Sequence, residues 1–189
     1  MMPPLDGGRY WPSPPFLPHC QSLMHHFDFT PSLILPVARA DWPPPTVPVT
    51  IDGITLQPKS ELHVTLVGTA LGEELRRSVA RPRLHDTVAR ALATHDTHPL
   101  RTGVLHLLRK PFDQDGHGGV AHSVIEHVHL PAMAPLHAAL GRLLGRQLPV
   151  PPPHVTLYTA ADPHGIGVSS PRRLRALSVR HVDPAELTD

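Results

Sequence analysis

The sequence has very little cysteine, few aromatic residues and almost no net charge. Its one cysteine, Cys20, cannot form an intramolecular disulfide, and a zinc cage built from several cysteine ligands is excluded as well. We therefore expect a reducing, cytoplasmic setting. The 17 Lys and Arg residues are balanced by 16 Asp and Glu, so no broad cationic surface is available to hold a long nucleic-acid duplex.

Long apolar runs are missing too. No uninterrupted apolar segment reaches the roughly 20 residues that a membrane-spanning helix needs, and residues 1–9 lack the apolar region of a secretory signal. We expect a soluble, unexported protein with no membrane partner, and a monomer. A chain of 189 residues is long enough for one domain, or two small lobes, with a sizeable core.

Proline and histidine are the abundant residues, with 25 and 16 copies. Residues 1–48 hold 12 of the prolines, which predicts a Pro-rich N-terminal arm or lid over residues 1–46 and a folded domain over residues 47–189. Six of the eight aromatic residues lie in this arm, which favours a segment that wraps the domain over a floppy extension; both interpretations stay open. Within it, residues 32–38 are a candidate edge strand.

From residue 47 onward, short apolar runs alternate with turn signals, and strands and helices follow one another in a mixed order. This pattern predicts an α+β fold. We expect a hairpin around Asp52-Gly53, a helix after Thr69 that Pro82 ends, and a helix from Pro131 to Gly145. The remaining predicted elements are strands at 61–67, 102–109, 120–130, 154–160 and 177–182 and helices around 84–92 and 171–176.

One tetrapeptide occurs twice, as His63-Val-Thr-Leu66 and as His154-Val-Thr-Leu157. In a sequence with 16 His, chance alone predicts roughly one His-x-Thr. Two further copies, at His85 and His95, have Asp in the middle position and lie in helical or loop surroundings. Strand alternation distinguishes the first two copies from these. Their His and Thr side chains share one strand face, while the intervening apolar residues point to the other.

In the second copy, alternation places Tyr158 on the same face as His154 and Thr156. If the two strands are neighbours, two His and two Thr converge on one cleft. A neutral imidazole can take a proton from water or a ribose hydroxyl while a protonated one gives a proton to the leaving oxygen, and threonine hydroxyls can donate hydrogen bonds to phosphate oxygens. The pattern therefore favours phosphoester chemistry.

These two motifs resemble those of the two-histidine (2H) phosphoesterases, the superfamily of LigT-like RNA ligases and cyclic phosphodiesterases. The resemblance covers roughly residues 47–183 and implies a duplicated, two-lobed fold with antiparallel sheets around a central cleft. It also implies that His63 and His154 are the acid–base pair, that Thr65 and Thr156 bind phosphate, and that no cofactor or metal is needed. The Pro-rich arm is not part of this family's pattern.

The expected substrates are RNA ends or small nucleotides that carry a 2′,3′-cyclic phosphate. The same site could run 2′–5′ RNA ligation, or belong to a non-catalytic RNA or nucleotide-binding module; a histidine-rich metal protein is a further alternative. Tyr158 is a candidate for stacking on a base or bonding a phosphate, or a tyrosine at the rim of the core. Among the basic residues we expect Arg109 or Arg172 to approach the phosphate, and His127 and His129, together with His122, are the candidates for a metal site.

Overall fold

A computed structural model describes residues 32–114 and 117–187, and the side chains of residues 113, 114 and 117 are outside that description. Residues 1–31, which make up most of the predicted arm, lie outside the described residues. The division at residue 46 therefore stays a prediction. The predicted edge strand is confirmed, because Leu33–Pro36 pairs along one edge of a sheet.

The described chain contains four α-helices and an eight-stranded antiparallel sheet, so the predicted α+β class is confirmed. The strands are β1 (Leu33–Pro36), β2 (Val49–Ile51), β3 (Ile54–Pro58), β4 (His63–Val67), β5 (Leu100–Gln114), β6 (His117–His129), β7 (His154–Ala160) and β8 (Ser178–Val182). The helices are α1 (Thr69–Ser78), α2 (Arg81–Ala93), α3 (Met133–Leu144) and α4 (Pro171–Leu177), followed by a short 3-10 helix, Pro184–Leu187.

The sheet runs in the order β1-β4-β7-β6-β5-β8, and every pairing is antiparallel. Strand β7 lies in the middle. Its N-terminal half pairs with β4, its C-terminal half pairs with β3, and its other edge pairs with β6 along its length. The two strands that carry the repeated motif are therefore direct neighbours, although 91 residues separate the motifs in sequence.

Helices α1, α2 and α3 cover one face of the sheet, which we call the helical face. Their apolar stripes, among them Leu75, Leu84, Val88 and Leu136, pack against inward-pointing residues of the strands to form the main core. Helix α4 and the loop before it cover part of the opposite face. There a smaller core forms from Leu108, Ala121, Ile125, Ile166, Val168 and Leu177.

The helix boundaries follow local signals, with one difference from prediction. Gly145 adopts the left-handed conformation (φ 66°) and ends α3 where expected, because glycine takes this conformation without steric cost. Pro82, however, does not end the helix that begins at Thr69. Helix α1 ends at Ser78, and Pro82 lies in the first turn of α2, where its missing N–H removes no intrahelical hydrogen bond.

A partly buried ion pair ties the start of β5 to β6. The Arg101 guanidinium donates two hydrogen bonds to the Glu126 carboxylate (3.1 and 2.7 Å), and the backbone N–H of Gly103 donates a third. Glu126 is 1% exposed. Arg101 also lies 4.3 Å above the ring of Trp42, a residue of the predicted arm that is buried in the main core.

None of the helices in the described ranges is both long enough and apolar enough to cross a membrane.

Candidate active site

The two motifs face each other across the β4–β7 pair. Val64 is the register partner of Val155, and in an antiparallel pair this places His63 opposite Thr156 and Thr65 opposite His154. The histidine of each motif thus stands across from the threonine of the other. The two histidines are diagonal neighbours, a relation that separates residues by about 7–8 Å.

All four side chains lie on the sheet face opposite the helical face, which we call the motif face. Val64 and Val155, between them in sequence, are completely buried in the main core. His63, Thr65 and Thr156 are half-buried, and His154 is 9% exposed. The predicted sorting of the His and Thr side chains from the apolar side chains is therefore observed in both strands.

Hydrogen bonding orients the imidazole of His154. Its Nδ1 lies 2.8 Å from the carbonyl oxygen of Pro152, and since a carbonyl can only accept, Nδ1 carries the proton. In the neutral ring, Nε2 is then the basic atom. Burial lowers the pKa of His154; the hydrogen bond to Pro152 opposes this shift, and the charge of His63 adds to it.

The environment of His63 differs from that of His154. Burial is the largest cause that lowers the pKa of His63, and the nearby ammonium of Lys59 lowers it further. The carboxylate of Glu61 acts in the opposite direction. The two histidines are therefore inequivalent, although their motifs are identical in sequence.

Lys59 is a basic residue of the site that sequence reasoning missed. Its backbone N–H donates to the carbonyl of Leu157 (2.8 Å), and its ammonium donates to the carbonyl of Pro163 (2.8 Å). These bonds hold a positive charge beside His63. Only the tertiary pairing of β3 with β7 brings Lys59 to this place, so no local sequence signal could have found it.

The loop after β7 covers Thr156. Gly165 has a φ of 83°, and a Cβ atom at this residue would lie 3.2 Å from Cγ2 of Thr156 and 3.5 Å from its hydroxyl. The loop is anchored by the backbone N–H of Ile166, which donates to the hydroxyl of the fully buried Ser123. The absence of a side chain at Gly165 thus allows the loop to approach the Thr156 hydroxyl closely.

The prediction that Tyr158 shares the face of His154 and Thr156 is wrong. Ile125 of β6 pairs with Thr156, but the next residue, Val124, pairs with Tyr158, so Leu157 is an extra residue in a β-bulge. The bulge turns Tyr158 onto the helical face. There it is 4% exposed and packs in the main core.

Two other predicted candidates also lie on the helical face. Arg109 follows the alternation of the core residues Leu105 and Leu107 and pairs with His122. His122 therefore points away from His127, which pairs with His154 on the motif face. In the described part of the chain, no group of three or more His, Cys, Asp or Glu side chains is arranged to hold a metal ion.

Surface grooves are found elsewhere on the molecule. Two of them, with volumes of about 590 and 530 Å³, flank α3, and none of the motif residues lines either one. Comparisons of the chain with protein-family models, with curated protein sequences and with solved structures found no match.

Proposed function

We propose that this protein is a phosphoesterase that hydrolyses cyclic phosphodiesters, above all 2′,3′-cyclic phosphates of RNA ends or nucleotides, by two-histidine acid–base catalysis without a metal cofactor. The observation that carries the proposal is the β4–β7 register, which brings the two His-Val-Thr-Leu motifs together. The duplicated, two-lobed arrangement of the 2H phosphoesterases belongs to the same proposal, with β4 and β7 as equivalent strands.

In this proposal His154 is the general base. Its proton is held at Nδ1 by Pro152, and its burial favours the neutral imidazole, so Nε2 can take a proton from the attacking water. The water oxygen forms a bond to phosphorus as the bond to one ester oxygen breaks. His63, which is less buried and lies near Glu61, gives its proton to that leaving oxygen.

The products are a phosphate monoester and a free hydroxyl. At this point His154 is protonated and His63 is neutral, and proton exchange with water restores both. Thr65 and Thr156 donate hydrogen bonds to the non-bridging oxygens, and Lys59 supplies the positive charge that balances the developing negative charge. With the 5′-hydroxyl of a second RNA strand in place of water, the same base and acid would support 2′–5′ ligation, because that oxygen bonds to phosphorus as the 3′ oxygen leaves with the proton from His63.

The direct test offers nucleoside 2′,3′-cyclic monophosphates and a cyclic-phosphate-ended oligoribonucleotide to the purified protein, with and without EDTA. We expect turnover that survives EDTA and falls about 10²- to 10⁴-fold in both His63→Ala and His154→Ala. The matched control is His85→Ala, which removes the exposed histidine of a chance His-x-Thr in α2.

Undiminished turnover in either motif variant would overturn the two-histidine mechanism. Binding of the cyclic nucleotides without any turnover would instead identify a non-catalytic binding module. A ligation assay with 2′,3′-cyclic-phosphate and 5′-hydroxyl RNA ends separates hydrolase from ligase, since the latter joins the two strands with a 2′–5′ bond.

A further inference from the structure

Three more histidines lie in contact with one another on neighbouring strands of the sheet. They are His127 on β6, His106 on β5 and His181 on β8, and we call them the histidine row. The ring centroids of His106 and His127 are 4.9 Å apart in an edge-to-face arrangement, and those of His106 and His181 are 4.1 Å apart and tilted. Sequence spacing gave no sign of this cluster, because its members come from three separate segments.

The histidine row lies on the motif face and adjoins the candidate active site. His127 is the register partner of His154, and His106 is the register partner of His181. The neighbours of His106 along β5, Leu105 and Leu107, point into the main core, which places His106 on the opposite face. The row therefore continues the line of imidazoles that begins with His63 and His154.

Solvent reaches the histidine row. His106 and His127 are half-buried, and His181 is exposed. The Oγ of Ser178 lies 2.9 Å from Nδ1 of His106, which adds a hydroxyl to the cluster. Imidazole N–H groups and a hydroxyl are suitable donors for the oxygens of a phosphate.

The imidazoles of the histidine row oppose one another's protonation. Burial lowers the pKa of both His106 and His127. Among the described residues, the charges that act on these two rings are those of other histidines, namely His127, His154 and His181. Protonation of one imidazole therefore opposes protonation of the next. A bound anion would relieve this repulsion, because it interacts favourably with every protonated ring.

We propose that the histidine row is a second phosphate-binding subsite, and that the substrate carries a further phosphate group beyond the cyclic phosphate held at His63 and His154. Neighbouring strands lie about 4.8 Å apart, so the row begins one strand from His154 and ends three strands away. This distance suits the 5′-phosphate of a nucleotide or the next phosphate of an oligonucleotide. The placement of a cyclic phosphate at His63 and His154 rests on the proposed function. The binding of phosphate by the histidine row does not.

The kinetic test compares a nucleoside 2′,3′-cyclic phosphate with the same compound carrying a 5′-phosphate. Selectivity is the ratio of the two kcat/KM values. We expect His106→Gln and His181→Gln each to lower the selectivity for the 5′-phosphorylated compound about tenfold, the factor that corresponds to 1.4 kcal/mol. His122→Gln is the matched control on the helical face of β6, and we expect its selectivity to stay within about twofold of the parent protein.

Binding of inorganic phosphate tests the subsite without any turnover. In the His63→Ala/His154→Ala double variant, titration with phosphate in the presence of EDTA should shift the imidazole NMR resonances of His106, His127 and His181. If the double variant shows these shifts and the parent protein hydrolyses neither compound, the proposed function is refuted and the subsite is supported. If the double variant does not fold, the same titration of the surface variant His181→Gln should show at least tenfold weaker phosphate binding at His106 and His127 than the parent protein.

Two results would overturn the subsite. The first is an unchanged selectivity in both His106→Gln and His181→Gln. The second is a phosphate titration that leaves the three resonances of the histidine row unshifted.

Discussion

His154 Nδ1 lies 2.8 Å from the carbonyl oxygen of Pro152, two residues earlier in the chain. The bond forms where Pro151-Pro152-Pro153 leads into β7, and the fixed φ of the prolines restricts the position of that carbonyl. A carbonyl on a restrained backbone thus sets the tautomer of His154.

The first prediction concerns that tautomer. Because Pro152 can only accept, we expect neutral His154 to carry its proton on Nδ1 and to leave Nε2 unprotonated. Long-range ¹H–¹⁵N correlation spectra of the imidazoles at pH 8 check this directly. A His154 that is protonated at Nε2 in these spectra would contradict the assignment of Nε2 as the basic atom.

The second prediction concerns the pH dependence of turnover. The pKa values of His63 and His154 are both lowered from 6.5, chiefly by burial. The general acid must be protonated, which requires a pH below its lowered pKa, and the base must be neutral. We expect a bell-shaped profile of kcat/KM with its maximum on the acid side of pH 6.5, reported as two macroscopic values because the histidines interact. A profile that is flat from pH 5 to 9 would contradict it.

The third prediction concerns the loop over Thr156. Gly165→Ala forces a side chain into the left-handed region and presses a methyl group against Thr156, so we expect a loss of stability of about 1–2 kcal/mol and a lower kcat/KM. Gly167→Ala is the matched control, because a Cβ atom there meets open space at an ordinary φ. Urea denaturation and turnover assays of both variants measure the difference, and equal effects would show that Gly165 has no special role.

The fourth prediction concerns stability at low pH. His137 is 1% exposed and shares a hydrogen bond with the carbonyl of Leu66 on β4, and burial lowers its pKa despite that bond. A lowered pKa in the folded state means that the unfolded chain binds the proton more readily. The stabilising contribution is therefore complete above pH 6.5 and is lost as the pH falls toward the lowered folded pKa.

We accordingly expect the free energy of unfolding to decrease between pH 7 and pH 5, by about 1.4 kcal/mol for each unit by which a histidine's pKa is lowered. His137→Gln should reduce this slope, and the exposed His129→Gln serves as its control. Chemical denaturation at a series of pH values provides the measurement. A slope that is identical in His137→Gln and in the parent protein would contradict the prediction.

The fifth prediction concerns the pair of Arg101 and Glu126. Removal of Arg101 leaves a buried carboxylate without its partner, so we expect Arg101→Ala to cost about 2–3 kcal/mol, less than for a fully buried pair because Arg101 is 57% exposed. Glu126→Gln should cost less, since it leaves no buried charge. Thermal or urea denaturation compares the two variants. A larger loss of stability in Glu126→Gln than in Arg101→Ala would show that an unpaired buried charge is not the cause of the loss.

Sequence periodicity correctly predicted the features that depend on the spacing of apolar and polar residues within one segment. The order of strands and helices from β2 to β8, the end of α3 at Gly145, and the common face of His63 and Thr65 all follow from residue spacing and turn chemistry. A bulge depends on the partner strand instead. The prediction for Tyr158 was wrong because Leu157 is an extra residue relative to β6. The alternation of apolar residues in β7 does not indicate this bulge.

Cross-strand register also explains which residues of the site could not be predicted from the sequence. Lys59 comes to the site through the pairing of β3 with β7, and the three members of the histidine row meet through β6, β5 and β8. Each is an unremarkable single residue in its own segment. Only the repeated tetrapeptide, whose two copies carry the same local signal, allowed a pair of distant residues to be linked in advance.

The central position of β7 also bears on how the chain folds. Until residues 154–160 are available, β4 and β6 each present an unpaired edge, and such edges are open to association with other chains. Closing the sheet requires contacts between segments far apart in sequence, which makes folding slow. An incomplete or newly synthesised chain that lacks β7 should therefore be prone to aggregate, and the insertion of this one strand would complete the sheet and assemble the histidine pair in the same event.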